Sequence, residues 1–467
     1  MPTPVIYNYI SKSAVLQQIA NRLYDPTMQF WSSVELGVYL NEALSTWNAL
    51  TSYWRGDFIL NSSDGSTWYD IPLAANSLRP YTLHDTDIYT AIQYHLLEPA
   101  SWNPWTGQSL QFTADDLLRA VERRRNEILS LTGCTISHRT IPAIAGRITL
   151  PDTIIDVRRM AYLPSPLFPS QLVSVMWPED AWAEQSFNRN YTITPAGTPF
   201  TYLMSAQPPL SFDTDRPPAY SGNYELLTVE AGPPISAFTP TLLNIPDDWA
   251  HVIKWGALAD LLSRESNAKD IPRATYCEQR YRMGIASLMN ASALLALRVN
   301  DVPLQIDAVR NVDMYNPSWE QSSLRPVTIA VQTGLNLLAF DGFFGSPYGV
   351  GYYGVGPYSG AKIPFSITAT VVRNAPLPAP PTDPVQVSRG DLDAIVDYAQ
   401  HLAAFKQGGE EFTRTMPLLQ RFLKAASAYN GKLAEIAEFS SALLGVSQME
   451  RGANPLMTPS AEQEVSS

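Results

Sequence analysis

Residues 247–285 read DDWAHVIKWGALADLLSRESNAKDIPRATYCEQRYRMGI, and two runs of helical spacing are visible in them. In the first, Trp249, Val252, Ile253, Gly256, Leu258 and Leu261 recur at steps of three and four, the period of one helix face. Pro246-Asp247-Asp248 opens that run with carboxylates placed to favour the positive end of the helix dipole. The second run, starting at Ala274, is equally periodic and is read as continuing through Met289 into ALLALRV, to Val299. Between them, Lys269-Asp270-Ile271-Pro272 supplies the hinge, so the stretch is expected to form a helical hairpin.

Upstream, the same logic gives four more helices. Ser11 is a cap for Val15, Leu16, Ile19 and Leu23, and this helix stops near Asp25-Pro26. Ser32 and Glu35 have capping-box spacing ahead of Leu36, Tyr39, Leu40, Ala43, Leu44 and Trp47, with an end expected near Arg55-Gly56. A helix from about Asp85 to Glu98 turns Ile88, Ala91, Ile92, His95 and Leu96 inward. Thr113 and Asp116 cap another, carrying Leu117, Val121 and Ile128, which Gly133 terminates. Asp64-Gly65 lies between two runs of strand formers and reads as a hairpin turn.

Downstream of residue 136 the character changes. Pro142, Pro151, Pro164, Pro166, Pro169, Pro178, Pro195 and Pro199 exclude long helices there, and RITL, TIIDVRRMAYL and NYELLTV read as strands with proline at edges and turns. From Gly342 to Gly360 there are seven glycines and six aromatics, which suits either a long surface loop whose aromatics dock on a partner or a disordered tip. NAPLPAPPTDP reads as an extended polyproline spacer. Ser388 and Asp391 then cap a helix that Gly408-Gly409 ends, and more helix follows from about Thr415 to Val446. The expected class is α+β, mainly an α-helical bundle with a Pro-rich β insertion, an extended aromatic and glycine loop, and C-terminal helices. The corresponding units are 1–135, 136–245, 246–300, 301–385 and 386–467.

Composition narrows the function. The chain has 467 residues, 45% hydrophobic and 11% aromatic, too apolar to be wholly disordered. Only 16% are charged while 38 are proline, so much of the surface is uncharged or stiffened, as in surfaces covered by partners. The net charge of −12 argues against a general grip on nucleic acid, which needs clustered cations. The best cluster, Arg123-Arg124-Arg125, fans over about 200° of a helix and suits salt bridges better than a phosphate row. No leader of basic then apolar residues begins the sequence, and no run offers the roughly 20 apolar residues of a membrane helix. A soluble protein made in a cytoplasm is expected.

Catalytic patterns are sparse. His84, His95, His138, His251 and His401 include no HExxH pair, Cys134 and Cys277 have neither metal nor disulfide spacing, and no phosphate loop or nucleophile elbow is present. No cofactor is expected. His84-Asp85-Thr86-Asp87 could serve acid/base chemistry, although helix capping explains it better. Arg389-Gly390-Asp391 matches an integrin-binding tripeptide by letter, but Asp391 is better read as a cap.

FWSSVELGVYLNEALSTWNALTSYWRGDF, the YDIP that follows the Asp64-Gly65 turn, DDLLRAVERRRNEILSLTGC and the opening 247–285 stretch together resemble the head-to-tail adaptor, or connector, proteins of tailed bacteriophages. The resemblance lies in Phe30 to Leu44, Gly256 to Leu262 and Tyr276 to Tyr281. It implies a non-enzymatic virion protein at the head-tail junction, forming a homo-oligomeric ring, commonly of twelve copies, between the portal protein and tail or neck proteins. Double-stranded DNA would pass through the lumen, and an acidic lining would let it slide rather than stick. Interface anchors are expected at Trp102, Trp105, Phe343, Phe344, Tyr348, Tyr352 and Tyr353, because large aromatics dominate interface energetics. The alternatives are another tail or baseplate structural protein, a carbohydrate-binding or carbohydrate-cleaving tail protein, and an enzyme of unrecognised type.

Overall fold

A computed structural model describes residues 8–61, 68–74, 78–96, 112–164, 174–187, 194–205, 209–236, 239–265, 269–299, 302–317, 319–321, 329–341 and 366–442. The class is mixed α and β, as expected. Eight longer helices are labelled here in chain order: α1 (Lys12–Arg22), α2 (Ser33–Thr51), α3 (Asp85–Leu96), α4 (Ala114–Thr132), α5 (His251–Ser263), α6 (Ile271–Met289), α7 (Arg389–Ala404) and α8 (Met416–Tyr429).

Local capping chemistry sets most of their ends. Ser11 Oγ accepts the Ala14 N–H, and Thr113 with Asp116 forms a reciprocal capping box. Gly133, at φ 57°, closes α4 in the left-handed conformation that favours glycine. Ser32 accepts the Glu35 N–H at 3.2 Å, but the Glu35 carboxylate does not reach back to complete a box. It is buried, taking the Tyr39 hydroxyl at 2.8 Å and the Lys406 ammonium at 2.9 Å. Helix α2 also ends earlier than expected, at Thr51, where Ser52 adopts φ 52°.

Helix α5 lies at the centre. It packs against α6, α4 and α3, while α2 packs against α3, α7, α8 and α1. Most of α5 is buried, from Val252 through Leu262 save for Asp260, so it lacks an extended solvent face. Its approach to α6 is close at two glycines. A Cβ on Gly284 would lie 2.6 Å from Val252 Cγ2, and one on Gly256 would lie 2.8 Å from the Tyr281 ring.

Strands form three larger sheets. Between residues 137 and 230, seven strands run in the order 137–142, 222–230, 154–164, 174–178, 201–204, 211–214 and 148–149. Pro142, Pro164 and Pro178 sit at strand ends, where a missing N–H is tolerated. This sheet has its own core, including Met160, Tyr162, Met176, Tyr202, Phe212, Tyr224 and Leu226. Two four-stranded sheets, 302–303/294–299/366–372/55–61 and 305–308/329–333/337–340/68–70, bury Leu60, Leu297, Leu338, Phe340, Ile367 and Val371 between them as a small sandwich.

Three expectations are corrected here. The strands flanking Asp64-Gly65 do not pair as a hairpin: Arg55–Asn61 joins Ser366–Val372, and Trp68–Asp70 joins Leu337–Phe340. The turn residues themselves lie outside the described residues. The second helical run stops at Met289, and Leu294–Val299 is a strand, because its apolar residues are needed in the sandwich. The proline segment at 374–384 is a packed strap. Lys12 Nζ donates to the carbonyls of Pro378 (2.9 Å) and Ala379 (3.0 Å), and the Lys12 and Ser13 amides donate to Asp383 and Pro381. An extended segment has carbonyls to spare, and a lysine more than 360 positions away takes two of them.

The α5–α6 contact makes a direct prediction. Gly284→Ala should lower stability by about 1–3 kcal/mol, despite the helix-propensity gain, because the branched Val252 side chain has to move. Gly431→Ala, where a Cβ meets nothing within 4 Å, is the control. Denaturant unfolding of both variants checks the difference.

Candidate functional site

The groups that resembled catalytic motifs are structural. The Asp87 carboxylate accepts the His84 N–H at 2.9 Å, while Asp85 is buried and accepts the Thr241 N–H at 2.8 Å, tying the start of α3 to a neighbouring segment. Arg124 pairs with Asp260 (2.6 Å), Glu278 (3.1 Å) and Glu127 (3.2 Å), and buried Arg125 donates to the carbonyls of Pro233 and Gly232. Arg123 alone of the three is well exposed. Ser388 caps α7 by accepting the Asp391 N–H at 3.2 Å, and the Asp391 carboxylate takes the Ser388 hydroxyl at 2.6 Å and the Tyr429 hydroxyl at 2.7 Å. Cys134 and Cys277 are buried free thiols, and burial pushes both above the ordinary thiol range. No cluster of three or more metal-ligating side chains occurs among the described residues.

The helical core holds an unusual amount of polar chemistry. Lys254 of α5 bonds Glu42 of α2, and its Nζ lies 2.9 Å from Nε2 of His95 on α3 and 4.0 Å from the Trp255 ring centroid. Burial, reinforced by the Lys254 charge, holds His95 well below the ordinary imidazole range, so it is neutral and accepts from Lys254. Arg280 of α6 donates to the Tyr398 hydroxyl at 2.5 Å. The Tyr276 hydroxyl meets His401 Nε2 at 2.7 Å, and the other ring nitrogen meets Thr415 Oγ1 at 2.8 Å. Apart from half-buried Thr415 these groups are buried, so the network fixes how helices meet.

The surface is where function has to act. All seven expected anchors, Trp102, Trp105, Phe343, Phe344, Tyr348, Tyr352 and Tyr353, lie outside the described residues, as does the Gly342 to Gly360 segment. The structure adds a candidate beside the Asp25-Pro26 helix stop. Tyr24 is 95% exposed and adopts φ 58°, an uncommon conformation for a bulky residue, with Met28 at φ 54° nearby. The Asp25 carboxylate accepts the N–H groups of Gln29 (2.9 Å), Phe30 (2.8 Å) and Trp31 (3.0 Å), which fixes this loop and holds that carboxyl below its usual range. Phe30 and Val34 beside it are also exposed. On the seven-stranded sheet, Trp177 and Phe200 are exposed neighbours, joined by the Trp177 N–H to Phe200 carbonyl bond at 2.9 Å.

Helices α3 and α4, the seven-stranded sheet, and the close α5–α6 pair follow one another in the chain as one continuous block. Residues 86–304 match the SU10 adaptor protein family. No curated protein matches the chain significantly. The head-to-tail adaptor likeness read from DDLLRAVERRRNEILSLTGC and from 247–285 thus falls within the matched span, whereas the Phe30 to Leu44 stretch precedes it. The match supports the likeness to a bacteriophage adaptor. Among the described residues no helix is long and apolar enough to cross a membrane.

The buried ionic and polar groups hold the helices to one another, and two measurements test this. Lys254→Met alone should cost about 3–5 kcal/mol by leaving Glu42 buried and unpaired, while adding Glu42→Leu should recover much of it. A double-mutant cycle in denaturant reads the coupling. His401 is buried, and burial, aided by Arg280, pulls it to about 3. Its folded value lies below the unfolded one, so the stability it protects is present above about pH 6.5 and is lost as pH falls toward 3. Asp248, pushed by burial to about 6, acts oppositely, strengthening the fold as pH falls through its own range. His401→Gln should therefore flatten the acid limb of the stability profile.

Proposed function

We propose that this chain is a ring-forming adaptor of a tailed-phage virion, seated at the head-tail junction between the portal and the tail or neck, with DNA passing through the ring. The observation that carries the reading is the 86–304 family match, laid over the block that contains the α5–α6 pair and the β insertion. Twelve copies are the expected number. The reading gains support from a net charge of −12, which would repel phosphates from a lumen, and from exposed aromatics that a heterologous ring contact would cover.

The contacts are assigned to the exposed loop carrying Tyr24 and Phe30, to the insertion edge with Trp177 and Phe200, and to the aromatic segments at 102–105 and 343–353. Tyr24 has a physical argument of its own. A strained backbone that lifts a large ring into water persists only where the surroundings over-determine it, and such strain clusters at binding positions.

Low-resolution imaging of purified protein should show rings with a central pore. A monodisperse monomer that hydrolyses glycans would sink the assignment and favour the carbohydrate-cleaving tail protein. Deleting residues 342–360 should leave folded protomers that no longer join heads to tails, read as loss of infectious particles.

A further inference from the structure

The insertion sheet has two unlike faces. On strand 222–230, Tyr224 and Leu226 enter the insertion's own core, whereas Leu227 and Val229 enter the main one. By alternation Glu225 points away from the Tyr224 and Leu226 side, and on strand 154–164 Arg159 is opposite to Met160 and Tyr162 in the same way. The root is firmly held. Arg125 grips the exit at the Gly232 (3.2 Å) and Pro233 (2.8 Å) carbonyls, and Asn336 bonds both the N–H and the carbonyl of Ile136 at 2.8 Å.

Beyond the root, the insertion meets the sandwich through buried charge. The Arg159 guanidinium lies 2.7 and 3.0 Å from the two Asp313 oxygens and 2.7 Å from Glu320 Oε1. Glu225 Oε1 takes the Trp68 indole N–H at 2.5 Å and lies 2.7 Å from His138 Nε2. The Trp319 indole donates to Asp313 at 2.8 Å, and its ring is 5.7 Å from that of Trp68. Asp313 and Glu320 thus share the Arg159 guanidinium, and a third carboxylate, Glu225, held by Trp68 and by His138 at a more exposed rim, lies near enough to add its charge. Glu320 Oε2 is buried and finds no donor among the described residues. Ionising all three would leave uncompensated charge in the interior, which is far costlier than one neutral carboxyl.

We propose that the insertion is a hinged unit, pivoting on its apolar root and latched to the sandwich by a proton held on Glu320, so that loss of this proton releases it. The electrostatics agree with the geometry. Burial, opposed by Arg159 and reinforced by the Glu225 and Asp313 charges, pushes Glu320 up to about 8. Burial would also raise Glu225, but His138 and Arg159 outweigh it and hold Glu225 below its usual value. The latched pKa of Glu320 lies above its ordinary 4.5, so the latch is strongest below that value and weakens as pH rises through 8.

Hydrogen exchange on the full chain, corrected for the intrinsic pH dependence of exchange, tests this. Between pH 6 and pH 9, protection in 154–164 and 309–321 should fall by roughly ten- to a hundredfold, while α5 amides keep theirs. Glu320→Gln, neutral at every pH and still able to accept from Arg159, should retain protection at pH 9. Asp313→Asn, with one negative charge fewer beside Glu320, should bring its latched pKa back toward 4.5, so that the loss of protection becomes smaller and is complete at lower pH. Equal wild-type protection at both pH values overturns the proposal, whether or not the variants fold. So does a Glu320→Gln protein that loses protection as the wild type does.

Discussion

Lys254 sits in a helix that is buried over most of its circumference, so its ammonium has to be compensated inside the protein. Desolvating that charge costs several kcal/mol, and only a partner held in fixed geometry can offset it. Glu42 of α2 supplies the charge and His95 of α3 the second acceptor, which locks three helices to one point. The glycines at 256 and 284 bring α6 against the same helix, and α4 closes it through Arg124 and Asp260. Any rearrangement that loosened α5 would expose an ion pair and a ring of aromatic contacts together, so the helical body should move as one unit.

The polar network also explains why the family match at 86–304 is not a self-sufficient core here. Trp255, Tyr276 and Arg280 lie inside the matched span, but their partners Phe405, His401 and Tyr398 come from α7 and its C-terminal extension. Glu35 of α2 is matched by Lys406 in the same way. Without residues 386–442, a guanidinium, an ammonium's partner and two buried rings would face water or a void. The C-terminal helices therefore complete the wall that the matched helices begin, and their sequence is constrained by burial as much as by any partner.

What could be read from the sequence follows the range of the interactions involved. Caps at Ser11, Thr113, Gly133 and Ser388 act within four residues, and each was legible, as was the inward face of α2 from Leu36 to Trp47. Apart from the early end of α2 at Thr51, the misreadings are long-range. Asp64-Gly65 looks like a hairpin turn until Ser366–Val372 and Leu337–Phe340 compete for the flanking strands. Leu294–Val299 has apolar residues compatible with either period, and the sandwich chooses strand. Glu35 has the spacing of a box residue, yet Lys406 offers its carboxylate more than a backbone amide could, because a buried charge needs a countercharge. Arg159, Asp313, Glu225 and Glu320 carried no local signal at all, since four separate elements bring them together.

The two kinds of buried charge in this protein differ in a way that bears on motion. In the helical body, Lys254 faces Glu42 and Lys406 faces Glu35, one cation to one carboxylate, so charge is matched within each pair. At the insertion, one guanidinium pairs with two carboxylates while a third, Glu225, adds its charge close by, and balance depends on a proton that solution conditions can remove. The insertion also keeps an apolar core of its own, distinct from the cluster that Leu227 and Val229 join. A fixed charge balance in the helices, and an adjustable one at the insertion, is the division expected of a part that must hold one position while fitting itself to a neighbour.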